Sequence, residues 1–214
     1  FNLSSAGRTC ASVKSMGLLD DKWLRKPDLA NRMDLEMYHV PAYLDVLERA
    51  GRGKLEADGI EMGLGTPDCP VFEGLYEYAQ WATGASMTGM RMLLDGSADI
   101  CFNPSGGYHH AFKDHCAGFC YVNDIVLGCM ALTDAGKRVL FLDIDVHHTD
   151  GVQAAFYDRN DVMTISMHQD GRTLFPGTGY VDEIGTGDGK GYAVNLPMPP
   201  GTYDDIYLKA FGAV

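Results

Sequence analysis

The segment Asp143-Ile-Asp145-Val-His147-His148-Thr149-Asp150-Gly151 places five groups able to bind a metal or move a proton within eight residues. It follows RVLFLD (138–143), the strongest strand pattern in the chain. In an extended backbone alternate side chains face one way, so Asp143, Asp145 and His147 are expected to point together. A carboxylate and an imidazole two residues apart suit a first-row divalent ion that accepts mixed oxygen and nitrogen ligands. The plainer alternative is a set of solvated turn residues beyond a strand. Five such groups together at a strand end favour the metal.

A second constellation, Pro104-Ser-Gly-Gly-Tyr108-His109-His110-Ala111, follows the apolar run ADICFN (98–103). Imidazoles titrate near pH 6.5, so a His pair can carry protons, provided that an acceptor orients each ring. Asp143 and Asp150 are the candidate orienting groups. A bare His-His pair is more simply two exposed loop residues. Its standing here depends on a neighbouring strand bringing it to the sheet edge where the acidic segment ends.

Short apolar runs alternate with helical patterns, which implies a largely parallel sheet covered by helices. Helices are expected at 4–16 with a Ser cap, at 41–50 with Pro41 in the first turn, and at 73–94. Another runs from an Asn123 cap to about Ala135, ended by Gly136. In 73–94 the residues Leu75, Tyr78, Ala79, Ala82, Met90, Leu93 and Leu94 keep helical spacing, and Met87, Met90 and Met92 read as core rather than as ligands. Asp95-Gly96 closes that helix. Strands are expected at 98–103, 138–143, 162–167 and 192–196, so 99–143 and 139–167 form strand–helix–strand crossovers. The Gly-rich stretch 185–191 reads as a surface loop, and 203–214 starts as an amphipathic helix. The expected organisation is a single, partial domain over 1–214, incomplete at both ends.

The chain has 214 residues, 46% of them apolar and 21% charged, which excludes disordered and collagen-like classes. No stretch approaches the roughly 20 apolar residues of a membrane span, and no secretory leader is visible after Phe1. With 17 Lys and Arg against 29 Asp and Glu, the formal charge is −12. That balance argues against direct nucleic-acid binding and for solubility or a cationic partner. The six cysteines form no CxxC pair and read as reduced thiols of an intracellular protein. The expected location is the cytoplasm, or the nucleus in a eukaryote. No GxGxxG or Walker pattern is present.

The run PSGGYHHAFKDHCAGFCYVND (104–124), with DIDVHHTDG (143–151) and LFPGTG (174–179), resembles the histone deacetylase family. More broadly it resembles the arginase/deacetylase superfamily, including acetoin-utilisation deacetylases and acetylpolyamine amidohydrolases. The likeness extends through MYHVPAYL (37–44) and DCPVFEG (68–74), nearly the whole chain. It implies a three-layer α/β fold with a central parallel sheet flanked by helices, here without its C-terminal part. It also implies zinc ligands at Asp145 and His147. His109 and His110 would be tandem active-site histidines, with His110 the general base and acid, Asp143 orienting His109 and Asp150 orienting His110. Gly118, Phe119 and Phe175 would line a tunnel for an acyl-lysine side chain, although any Phe alone is more simply core. Asp68 would accept substrate backbone N–H bonds at the rim. A structural potassium ion is implied at Asp143, Asp145, His147, Ser166 and Met167, and a second at Phe156, Arg159, Val162 and Tyr192.

This chain departs from the family pattern in three places. The third zinc ligand, an Asp further along, and a catalytic Tyr after a glycine run are not found before Val214, so the chain by itself is expected to have little activity. Thr149 stands where binuclear manganese relatives carry another acid, which favours mononuclear amide hydrolysis. The expected function is zinc-dependent hydrolysis of the acetyl amide of acetylated lysine. The alternatives are an acetylpolyamine amidohydrolase or other small-acylamine deacylase and, from another class, a catalytically silent module binding acyl-lysine or a partner.

Overall fold

The four longer helices in the first part of the chain fall where the apolar spacing expects them, while two five-residue helices, Arg32–Glu36 and Ala57–Glu61, are not among those expected. A computed structural model describes residues 5–214 and divides between Ala135 and Gly136 into two units. The first contains α1 (Ser5–Ser15), α2 (Arg32–Glu36), α3 (Pro41–Gly51), α4 (Ala57–Glu61), α5 (Leu75–Asp95) and α6 (Asp124–Asp134). The Ser4 cap expected for α1 lies outside the described residues. Pro41 opens α3 at the first helical position, where its missing N–H costs nothing. α5 begins two residues later than the spacing suggested, after Gly74 at φ 82°, and closes on Gly96 at φ 75°, both left-handed positions open to glycine.

The core of this unit gathers Leu35, Leu44, Leu47, Leu64, Leu75 and Leu127, none with measurable exposure. Each such side chain contributes about 1.5–3 kcal/mol by leaving water. Met87 is buried, and Met90 lies against Gly128 of α6, where an added Cβ would meet its side chain at 3.2 Å. The methionines of α5 that the sequence read as core therefore pack as such at 87 and 90. Two phenols stitch the core: the Tyr43 hydroxyl donates to the Tyr121 carbonyl at 2.7 Å, and the Tyr121 hydroxyl to that of Pro70 at 2.5 Å.

The strand expected at 98–103 is corrected. That segment pairs with no strand among the described residues, and Ile100 and Phe102 are 88% and 74% exposed. An apolar run needs a hydrogen-bonded neighbour to become a strand, and the crossover expected over 99–143 goes with it.

The second unit contains β1 (Val139–Asp143), α7 (Asp150–Phe156), β2 (Val162–Gln169), β3 (Ala193–Met198) and α8 (Asp204–Phe211). The sheet order is β1-β2-β3, all parallel, with Asp143 opposite Ser166 and Ser166 opposite Asn195. The β1–α7–β2 crossover is thus the one read from 139–167. β2 is almost wholly buried, while Leu140 and Leu142 of β1 are exposed. No described helix is long and apolar enough to cross a membrane.

One ionisable group sits deep in the first unit. His39 is buried, and its Nε2 accepts the Asn123 N–H at 3.0 Å. Burial pushes its pKa down to about 4, against an opposite pull from the Lys113 and Phe112 backbone. An unfolded His binds its proton near pH 6.5, so the native state loses stability as pH falls from about 6.5 toward 4. At 1.36 kcal/mol per unit the loss is at most about 3 kcal/mol. Histidine-resolved NMR should find the His39 ring neutral at pH 5.5; a titration midpoint near 6.5 would contradict this environment.

Candidate active site

β1 delivers the acidic segment to the carboxyl end of a parallel strand, where α/β folds place their functional groups. The extended backbone stops at Asp143, so the simple alternation expected beyond it is replaced by two tight steps. The Asp143 Oδ1 accepts the Asp145 N–H at 2.9 Å, and the Asp145 Oδ1 accepts the His147 N–H at 2.8 Å. Each is a side chain holding the backbone two residues ahead, the Asx turn that aspartate favours. Asp143 is buried and Asp145 exposed. Asp145 Oδ1 and His147 Nδ1 come to 2.9 Å of each other.

A carboxylate oxygen and an imidazole nitrogen are both donor types that a zinc ion accepts. Oxygen and nitrogen ligands at about 2.0–2.2 Å on a tetrahedron stand about 3.3 Å apart, so the two atoms need to open by only about 0.4 Å. Among the described residues no three His, Cys, Asp or Glu side chains gather around one point. Asp145 and His147 fit as two donors of such a site. Phe175 meets the His147 ring edge-on, with centroids 6.1 Å apart, and is 44% exposed, so it is not core.

Behind this loop lies a buried polar network that sequence reasoning missed. His148 Nε2 faces Gln153 Oε1 at 3.1 Å, and its Nδ1 faces the Thr178 hydroxyl at 2.8 Å. Gln153 Oε1 also accepts from Asn195 Nδ2 at 2.7 Å, while Gln153 Nε2 donates to Glu183 at 2.7 Å. The amide is therefore oriented by its partners, and it assigns the proton of His148 to Nε2. His168 Nε2 likewise faces the Gly179 carbonyl at 2.9 Å, which leaves Nδ1 to accept from Ser166. Burial lowers the pKa of both imidazoles and keeps them neutral. Glu183 also accepts the Gly179 and Tyr180 N–H groups at 3.0 and 3.1 Å. The 174–180 loop is thus tied to the 147–153 segment. His168 and Asn195, polar residues inside apolar strands, were the available signal, since a buried polar group needs partners.

Asp150 is half-buried, and its Oδ1 accepts the Gly151 N–H at 2.9 Å. Ser166, Met167 and Val162 are buried on β2. The Phe156 carbonyl accepts the Arg159 N–H at 3.0 Å, and the Tyr192 carbonyl accepts the Thr164 N–H at 2.8 Å. Each carbonyl has a second lone pair.

In the first unit His109 and His110 are buried at 7% and 3% exposure, so they are not a solvated loop pair. Their ring centroids lie 3.9 Å apart. Asn123, the cap of α6, donates through Nδ2 to the His109 and Ala111 carbonyls at 3.4 and 2.9 Å, while its Oδ1 caps Val126. Gly118 and Phe119 are the centre of a two-residue turn closed by reciprocal Ala117–Cys120 backbone bonds. Both have positive φ, 50° and 67°, the pattern of a type I′ turn. For Phe this conformation costs roughly 1–3 kcal/mol, and it carries a 48% exposed ring. Asp68 stands exposed on the 66–69 loop.

Comparison with known proteins identifies the class. Residues 2–214 match the histone deacetylase domain family, and the chain belongs to that family. It has the α/β arginase/deacetylase fold. It is 42% identical to histone deacetylase 8 of Danio rerio over 94% of this chain and 54% of that protein. It is 40% identical to the acetoin utilization protein AcuC of Bacillus subtilis over 99% of this chain and 55% of that one. The crystal structure of an HDAC homolog from Aquifex aeolicus matches 92% of this chain and 54% of that chain, with a TM-score of 0.86 and 38% identity. The chain spans about half the length of the curated relatives it matches.

Gly179 has φ +87°, and a Cβ there would press on His168 and come within 2.6 Å of the His148 ring. Gly177 has φ +86°, but its nearest neighbour would be 3.8 Å away. Gly179→Ala should therefore destabilise by roughly 2–4 kcal/mol, and Gly177→Ala by about 1 kcal/mol. Thermal unfolding of the two variants checks this; equal losses would mean that the ring contacts do not constrain the loop.

Proposed function

We propose that this chain carries the metal-binding and proton-transfer residues of a zinc-dependent hydrolase that cleaves the acetyl amide of acetylated lysine. Family membership supports the reaction class, and the Asp145–His147 contact is the observation that supports the metal. Zinc bound by this pair would polarise the amide carbonyl and bring a water's pKa to roughly 7. His110 takes the proton of the attacking water and returns it to the departing lysine amine. Asp143 and Asp150 orient His109 and His110, the roles implied for them by family resemblance. Family resemblance assigns Gly118, Phe119 and Phe175 to the methylene chain of the substrate, a role suited to aromatic rings that are each exposed. Asp68 accepts N–H bonds from the peptide backbone.

Potassium would be held through oxygens of Asp143, Asp145, His147, Ser166 and Met167, with a second ion at Phe156, Arg159, Val162 and Tyr192. A formal charge of −12 suits a polycationic acylamine as well as lysine, which keeps small acetylated amines as a second substrate class.

The test uses the intact gene product with a fluorogenic acetyl-lysine peptide and metal analysis. Asp145→Asn should lower both zinc content and turnover. His110→Ala should keep its zinc and lose at least about 100-fold in kcat/KM. Turnover unchanged in both variants would refute the assignment, and a higher kcat/KM for acetylspermidine would select the second class.

A further inference from the structure

Asp124 has no cation partner among the contacts that fix it, and it is 2% exposed. Its carboxylate accepts the Ser86 hydroxyl at 2.5 Å, the Tyr108 N–H at 2.9 Å and the Gly107 N–H at 3.1 Å. Burial raises its pKa, and these hydrogen bonds oppose the rise. The residue is the first of α6, where the partial positive charge of the helix end also favours an anion. A buried carboxylate is costly unless its lone pairs are satisfied, and here most of its partners belong to one loop.

The loop is shaped around it. A Cβ on Gly106 would press on Asp124 Oδ2 and lie 2.7 Å from Asn103 Nδ2 and 2.8 Å from Ser86 Oγ. Gly107 has φ +100°, a conformation that L side chains rarely adopt. Asn103 Nδ2 donates to Ser86 Oγ at 2.8 Å and to the Ala82 carbonyl at 3.1 Å, while its Oδ1 accepts the Ser105 N–H at 2.9 Å. The Tyr108 hydroxyl bonds that of Tyr78 on α5. Residues 103–108 are thus fastened to α5 and α6 immediately before His109.

We infer that Asp124 is a positioning residue for the His109–His110 pair, acting by holding the backbone N–H groups of Gly107 and Tyr108, with Ser86 locking the carboxylate. The assignment to catalysis rests on the deacetylase reading above; the assignment to ring placement does not. Hydrogen-bond acceptance, not charge, is the working property. An Asn can present Oδ1 to the two N–H groups and its amide to Ser86 Oγ, whereas Ala can do neither.

The intact gene product is assayed with the acetyl-lysine peptide, and its histidine rings are followed by selective ¹⁵N/¹³C NMR. Asp124→Ala should lower kcat at least 30-fold with KM within threefold and shift the His109 and His110 ring signals, leaving those of His148 and His168 in place. Asp124→Asn should restore kcat to within fivefold of the unsubstituted protein. Ser86→Ala, a milder change should Asp124→Ala fail to fold, should lower kcat three- to tenfold and move the same two rings. Unmoved His109 and His110 signals in the folded variants would overturn the clamp. So would an Asn variant as impaired as the Ala variant. Absence of hydrolysis by the unsubstituted protein would count against the deacetylase reading alone, and the ring signals would still decide the clamp.

Discussion

At the end of β1 the chain leaves the sheet while two carboxylates each hold the backbone two residues ahead. Asp143 takes the Asp145 N–H and Asp145 takes the His147 N–H. These local bonds bring Asp145 Oδ1 beside His147 Nδ1, a carboxylate and an imidazole at nearly ligand spacing. Aspartate suits both steps because its short side chain reaches its own backbone without distorting it. Glutamate at either position would lose that reach, although its charge is the same. The site is therefore specified by chain geometry as much as by donor type.

Local turns of this kind need a rigid floor. It is supplied by neutral, hydrogen-bonded groups, with Glu183 as the charged member. His148, Gln153 and Asn195 form a chain of side-chain bonds ending on the Glu183 carboxylate, while His168 and Ser166 bond the Gly179 carbonyl and the Thr149 N–H. Each imidazole has one donating and one accepting nitrogen used, so a second proton would displace a partner. Burial keeps that proton away. The first unit uses the same device, with Asn123 between the α6 cap and the His109 and Ala111 carbonyls.

Much of this was legible in the residues, for reasons that differ by element. The VLFLD strand and the helices at 41–51 and 124–134 declare themselves through periodicity, Pro41 and Asn123, which are local signals. The run 98–103 has strand-like composition, yet Ile100 and Phe102 stay exposed because pairing is a property of neighbours. The chemistry-bearing residues stood out because Asp and His crowd after a strand. The residues behind them stood out less: Gln153 and Glu183 are far apart in sequence and look like ordinary polar residues, while Asn195 is marked by its place inside an apolar strand. Phe119 shows the same limit, because its left-handed backbone follows from a turn that neither Gly118 nor Phe119 announces alone.

The chemistry proposed for the chain stands or falls with the metal donors, and zinc K-edge X-ray absorption on the purified gene product reads them directly. Donation by Asp145 and His147 requires a nitrogen/oxygen shell at about 2.0–2.1 Å with the outer-shell scattering of a single imidazole, lost in His147→Ala. A sulfur shell at about 2.3 Å, drawn from any of the six cysteines, or a spectrum indifferent to His147→Ala would contradict it.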